Sequence, residues 1–166
     1  MRQSLWVILP TIIVLSSCMP AQPGNQNAES ANFVPCKNSN ADLAITQCTL
    51  LIESKRVDGM DLASAFSDRG DAYVRNSEYD LAIADYDHAI ELAPDFAPAF
   101  GGRAFAYAGK EEYERAIEDY DQAVMLDRNF ALAFYLRGMA KLALCDGEGG
   151  EIDINTARSL DPDVGR

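Results

Sequence analysis

The chain has 166 residues, enough for one domain behind a leader, and its 48% apolar content suits a globular core. A formal charge of −12 excludes the basic footprint of a nucleic-acid-binding protein and excludes electrostatic attraction to anionic lipid. No nucleic-acid partner is expected, and membrane attachment has to come from something other than charge.

Such an attachment is readable at the start. Arg2 precedes an almost wholly apolar run from Leu5 to Leu15, too short for a bilayer span of about 20 residues and suited to the apolar region of a secretory signal. Leu15-Ser16-Ser17-Cys18 follows directly and resembles a bacterial lipobox, which implies cleavage before Cys18 and a diacylglycerol on its thiol. The expected organisation begins with a signal peptide over 1–17 and a lipidated tether over 18–37. Residues 19–35 are rich in Pro, Gln, Asn and Ala, giving a flexible segment with a reach of roughly 20–25 Å. Met19 after the lipidated position favours the outer membrane by resemblance to enterobacterial sorting. The localisation read from this is a lipid-anchored protein of the bacterial cell envelope, facing the periplasm.

The segment 38–62 reads as a capping half-repeat. Asp42-Leu43-Ala44-Ile45 returns letter for letter as Asp80-Leu81-Ala82-Ile83, so a lone helix is expected over 42–54. Ser39 with Asp42, and Ser77 with Asp80, are candidate capping boxes. Cys36 and Cys48 can be bridged if the chain folds back on this helix, which an exported protein permits; two buried thiols are the alternative. Cys145 then stays unpaired, packed at a helix end.

From 63 onward a 34-residue period governs the chain. Asp80-Leu81-Ala82-Ile83-Ala84-Asp85-Tyr86 returns as Glu114-Arg115-Ala116-Ile117-Glu118-Asp119-Tyr120. Phe66, Phe100 and Phe134 keep the period, as do Gly70, Ala104 and Gly138. Small residues at fixed points let two helices approach, and the aromatics beside them fill the gap. A period of this length means stacked helical hairpins that bury a core only together. The aromatic, small, Tyr pattern (Phe66, Gly70, Tyr73) followed by Tyr79, Ala82, Tyr86, Ala89 and Pro94 closely resembles the tetratricopeptide repeat. The resemblance implies an all-α solenoid of about seven helices, with repeats over 63–96, 97–130 and 131–166. The third is degenerate: Lys141, Gly147, Gly150 and Ile154 replace expected aromatic and small residues. Its second helix, from about Glu148 to Leu160, is polar, as a terminal cap requires; an end completed by a partner is the alternative.

Arg69, Arg103 and Arg137 recur at 34, each 16 residues before Asp85, Asp119 and Asp153. A guanidinium beside a packed interhelical position needs a carboxylate, so these are read as structural ion pairs rather than a charged-ligand site. The tetratricopeptide resemblance implies a concave groove lined by the first helix of each repeat. By carry-over it holds Ser64, Ser67, Asp68, Asp71, Val74 and Arg75, then Pro98, Gly101, Gly102, Phe105, Ala108 and Gly109, then Leu132, Tyr135, Leu136, Met139, Leu142 and Ala143. Gly101 and Gly102 are costly inside a helix. A shallow pocket floor walled by Phe105, Leu132, Tyr135, Leu136 and Met139 would offset that. Packing of this face against the C-terminal segment or a second copy is the other reading. The basic and Asn pattern with which chaperone-type repeats hold a C-terminal carboxylate is absent.

No catalytic or cofactor site is expected. The lone His88 lies on an outer helix face and forms no constellation. The paired acids Asp85/Asp87 and Asp119/Asp121 read as solvated helix faces, not a metal site. The run from Asp146 to Glu151 is a poor calcium loop, with Glu151 where Gly is required and Ala157 where the bidentate Glu would stand. The function read from the sequence is a non-enzymatic, membrane-anchored adaptor. It would bind a protein or peptide in its groove, and self-association as a structural envelope lipoprotein is the alternative.

Overall fold

The computed structural model describes residues 36–166. The signal peptide, Cys18 and most of the tether lie outside the described residues. Among the described residues there are seven helices and no strand: α1 (Ala41–Glu53), α2 (Gly59–Arg75), α3 (Tyr79–Leu92), α4 (Ala97–Gly109), α5 (Tyr113–Leu126), α6 (Ala131–Ala143) and α7 (Gly147–Leu160). None of them is long and apolar enough to cross a membrane. Three antiparallel hairpins, α2/α3, α4/α5 and α6/α7, stack in chain order, with α1 packed on α2.

The helices form because small and aromatic residues fall on one stripe. In α3 the buried positions are Ala82, Asp85, Tyr86 and Ala89; in α5 they are Ala116, Asp119, Tyr120 and Ala123, followed by Val124. Steps of three and four keep them on one face. Tyr86 and Tyr120 are the largest fully buried side chains, each set among alanines that let the helices close around it. In α1 the matching stripe is Ala44 and Cys48, so the small Cys48 takes the tyrosine's place in the half-repeat.

Each hairpin turns the same way. Ser77, Glu111 and Cys145, spaced at 34, hold φ of 60°, 63° and 66°. The residue after each donates its N–H back to the helix: Glu78 to the Tyr73 carbonyl, Glu112 to Tyr107 and Asp146 to Lys141, all at 2.9 Å. This left-handed closure satisfies carbonyls that the helix end would orphan. It also changes two expectations. Ser77 is occupied by the turn, so the N-cap of α3 is Glu78, which makes no side-chain cap. Cys145 is exposed at its turn, not packed. At α1 the cap is Asn40, whose Oδ1 accepts from the Leu43 N–H at 2.9 Å, one residue beyond the expected Ser39.

Candidate peptide-binding groove

The first helices of the three hairpins, α2, α4 and α6, line an open concavity of about 610 Å³. At one end α2 contributes Ser64, Ser67, Asp68, Asp71, Val74 and Arg75; the middle is Pro98, Gly101, Gly102 and Phe105 from α4; the far end is Leu132, Ala133 and Leu136 from α6. Ala108, Gly109, Leu142 and Ala143 do not line it. Tyr135 and Met139 do not line it either. A Cβ on Gly165 would fall 2.4 Å from the Tyr135 ring, so the C-terminal backbone, at φ +80° there, lies against that ring. Met139 is one turn further along α6, exposed outside the cavity.

The carry-over from first helices missed the floor. Tyr86 and Tyr120 reach up from the second helices, Phe96 and Phe130 enter from the inter-repeat links, and Lys37 closes the polar end. The signal was in the sequence, since Phe96 and Phe130 also stand 34 apart. The glycines explain how the floor is made. A Cβ on Gly102 would meet the Tyr86 ring at 2.5 Å and its hydroxyl at 2.8 Å, and one on Gly101 would meet the Phe130 ring at 3.1 Å. The helical cost of these glycines is thus offset by aromatic rings that approach the bare backbone of α4.

The polar end is held together by long-range contacts. Cys36 and Cys48 are joined in a disulfide, with Cα atoms 5.2 Å apart, which ties residue 37 to α1. Lys37 Nζ stands 3.4 Å from Asp68 Oδ1. Arg75 donates to the Asn38 carbonyl at 3.1 Å. The Tyr86 hydroxyl donates to Asp71 Oδ1 at 2.7 Å. Burial pushes the Asp68 carboxyl up, with Lys37 and the Cys36 backbone opposing and Asp71 adding to the rise. Burial likewise raises Asp71, against the hydrogen bond from Tyr86.

Two polar atoms on this surface have no partner: Asp68 Oδ2 and the Tyr120 hydroxyl. Tyr120 is the 34-residue counterpart of Tyr86. The counterpart of Asp71, which accepts from Tyr86, is Phe105. The tyrosine was kept while its acceptor became apolar.

Behind the groove, the arginines staple the stack. Arg69 Nε and Nη2 reach Asp85 at 2.7 Å each. Arg103 makes the same fork to Asp119, at 2.7 Å twice, and Arg137 to Asp153, at 2.8 and 2.5 Å. Each guanidinium lies over the Phe three residues before it, at 5.5, 5.7 and 5.2 Å. The remaining nitrogen turns to the preceding repeat: Arg103 Nη1 donates to Asp87 at 2.5 Å and Arg137 Nη1 to Asp121 at 2.7 Å. Arg69 Nη1 finds Thr49 of the half-repeat at 3.0 Å. Reading Asp87 and Asp121 as solvated faces is therefore corrected: they are half-exposed, yet they join neighbouring hairpins. Asn155 stands at the next position of this series, on the hairpin that no further repeat follows among the described residues.

His88 lies on the outer face, its ring 5.1 Å from Phe66. No group of three or more potential metal ligands occurs among the described residues.

A stack of helical hairpins at a 34-residue period, with a groove on its first helices, defines a helical-repeat solenoid. The particular repeat follows from comparison. A tetratricopeptide repeat family model matches residues 63–96, and a TPR repeat model matches 106–144. Residues 63–96 and 106–144 are tetratricopeptide repeats, and the described residues have the all-α tetratricopeptide repeat fold. Among solved structures the chain is similar to the first TPR domain of Spaghetti (RPAP3) bound to the HSP90 peptide SRMEEVD. That domain is 27% identical with a TM-score of 0.63, over 65% of this chain and 86% of that one. It is similar also to the second TPR domain of the same protein with the same peptide, 29% identical with a TM-score of 0.59, over 67% and 98% of the two chains. The Sgt2 TPR domain from Aspergillus fumigatus is 25% identical with a TM-score of 0.59, over 63% and 69%. No curated protein matches the chain by sequence.

Proposed function

We propose that this chain is a lipid-anchored adaptor of a bacterial cell envelope that binds a protein or peptide in its concave groove. The observation that carries the binding role is the open groove on α2, α4 and α6, whose wall exposes Phe105 and Leu132. Contiguous exposed apolar surface of this kind marks interaction sites. The similar Spaghetti domains hold a peptide. The anchor rests on Leu15-Ser16-Ser17-Cys18 after an apolar run, where acyl chains would contribute about 0.8 kcal/mol per buried CH₂. Met19 favours the outer membrane, with the repeats facing the periplasm.

A photo-crosslinking residue at position 105 tests the groove better than one at Tyr135, which the C-terminal backbone covers. Capture of a protein from position 105, and not from Glu118 on the outer face of α5, is expected; equal capture from both faces would oppose the reading. For the anchor, Cys18→Ser should abolish palmitate labelling and release the chain from the membrane fraction. A second reading, self-association, is favoured by exposed Met139, Leu142 and Leu144 late in α6 and its turn. Light scattering of the full chain lacking only lipid at Cys18 separates the two: a monomer opposes self-association.

A further inference from the structure

The groove holds two buried polar atoms that the chain itself leaves unmatched, and they differ in kind. Asp68 is 6% exposed and Tyr120 1% exposed, and both line the cavity. A buried donor or acceptor without a partner is destabilising, so a groove that retains two is built for groups arriving from outside. We propose that the occupant is an extended segment with a basic side chain next to an apolar one. The basic group meets Asp68 Oδ2, the apolar side chain lies against Phe105, Leu132 and Leu136, and a main-chain carbonyl accepts from the Tyr120 hydroxyl. This inference rests on the groove being the binding surface and adds the chemistry of its ligand.

The charge balance favours a cation over a neutral donor. Asp68 and Asp71 stand one helical turn apart on α2. The cations facing them are Lys37, exposed and 3.4 Å from Asp68 Oδ1, and Arg75, already engaged on the Asn38 carbonyl. Asp68 thus has its one lysine on Oδ1, the Cys36 backbone and Asp71 as its other polar neighbours, and a buried Oδ2 that no cation of the described residues meets. A charge-assisted hydrogen bond there is about twice as strong as a neutral one. The whole chain's charge of −12 draws a basic segment in and repels an acidic one. Phe105 supplies the rest: where the preceding repeat has an acid to occupy its tyrosine, this one has an exposed aromatic lining the same groove and a buried hydroxyl without a partner.

The test is a phage-displayed random dodecamer library panned against the immobilised full chain in mild detergent, followed by anisotropy of fluorescein-labelled selected peptides. Lys or Arg beside an apolar residue should be enriched. Asp68→Asn should weaken binding about tenfold or more, and Tyr120→Phe about threefold, without a fall in the melting temperature of Tyr120→Phe. Replacing the peptide's basic residue by glutamine should reproduce the Asp68→Asn loss, which keeps the test decisive if that variant folds poorly. Peptides that lose binding on Phe105→Glu, yet carry no basic residue and ignore Asp68→Asn, would overturn this inference and leave the groove reading standing. Peptides indifferent to Phe105→Glu, or no enrichment at all, would overturn both.

Discussion

Arg103→Ala is the sharpest test of how the stack is held. Arg103 forks onto Asp119 through two bonds of 2.7 Å and reaches Asp87 through a third. Its side chain is 20% exposed and that of Asp119 10%, while Asp87 is 48% exposed. Removing one member of a buried pair costs about 3–5 kcal/mol, because the other charge stays behind without a partner; the residual exposure of Arg103 places this case at the lower end. The Asp87 bond is closer to a surface pair, worth less than about 1 kcal/mol, and the stacking on Phe100 at 5.7 Å adds about 0.5 kcal/mol. The expected loss is about 3 kcal/mol, or roughly 10 °C in melting temperature for a domain of this size. Thermal melts followed by circular dichroism, with urea titrations, measure it directly. A cycle of Arg103→Ala, Asp119→Ala and the double variant should return a coupling of about 2 kcal/mol, and Asp87→Ala should cost under about 1 kcal/mol. A melting temperature for Arg103→Ala within 2 °C or so of the parent would refute the pairing as a stabilising element.

Three further outcomes follow from the geometry. Gly102→Ala gains about 0.8–1 kcal/mol of helix propensity, but its Cβ must displace the buried Tyr86 ring from 2.5 Å. A net loss of about 1–2 kcal/mol is expected in urea titrations, whereas Gly101→Ala, 3.1 Å from the less buried Phe130, should be near neutral. Opening the Cys36–Cys48 link, which spans 12 residues, removes a constraint worth up to about 3 kcal/mol. Hydrogen exchange should show the loss in α1 first, with α4 to α7 unchanged. The Asp153 carboxyl is opposed by burial but held below its usual range by hydrogen bonds from Arg137 and Lys141. A depressed folded-state pKa stabilises above the unfolded value, near 3.9, and that contribution disappears as pH falls through the folded value. The gap in melting temperature between the parent and Asp153→Asn should therefore be widest above about pH 5 and close below pH 4; a gap independent of pH would contradict it.

What the sequence made legible was whatever repeats. Periodic Ala, Gly and aromatic residues place the helices of the three hairpins, because a 34-residue recurrence ties each position to its counterpart in a neighbouring hairpin. Ser77 was misread for the opposite reason. Its type suits a cap, but the turn between α2 and α3 takes it into a left-handed backbone, a choice set by hairpin closure rather than by the residue. Tyr135 was placed in the groove because its register is right for a first helix; the packing of Gly165 against it depends on where six terminal residues fold, which no repeat encodes. Tyr86 and Tyr120 are legible in the sequence as positions of the repeat pattern, and the structure buries both. That Tyr86 lies against α4 at the groove floor depends on the missing Cβ of Gly102; the matching position for Tyr120 is Leu136, so no glycine marks it in the sequence.

The repeats divide their residues between two tasks, and the division can be followed at single positions. Arg103 and Arg137 each bind one Asp of their own hairpin and one of the hairpin before. The first Asp of the series runs to 153, but the second stops at Asp121 and is Asn155 in the last repeat. Asp87 and Asp121 each accept from an arginine of the next hairpin, Thr49 does the same for Arg69 through its hydroxyl, and among the described residues no arginine bonds to Asn155, which ties the second series to stacking. The groove follows the reverse rule. Asp71 gives way to Phe105, while Tyr86 and Tyr120 stay, and the Tyr120 hydroxyl is left without a partner. A stack maintained for stability alone would gain from phenylalanine at 120. On the proposed reading, a segment bound in the groove would supply to Tyr120 the acceptor that Asp71 supplies to Tyr86.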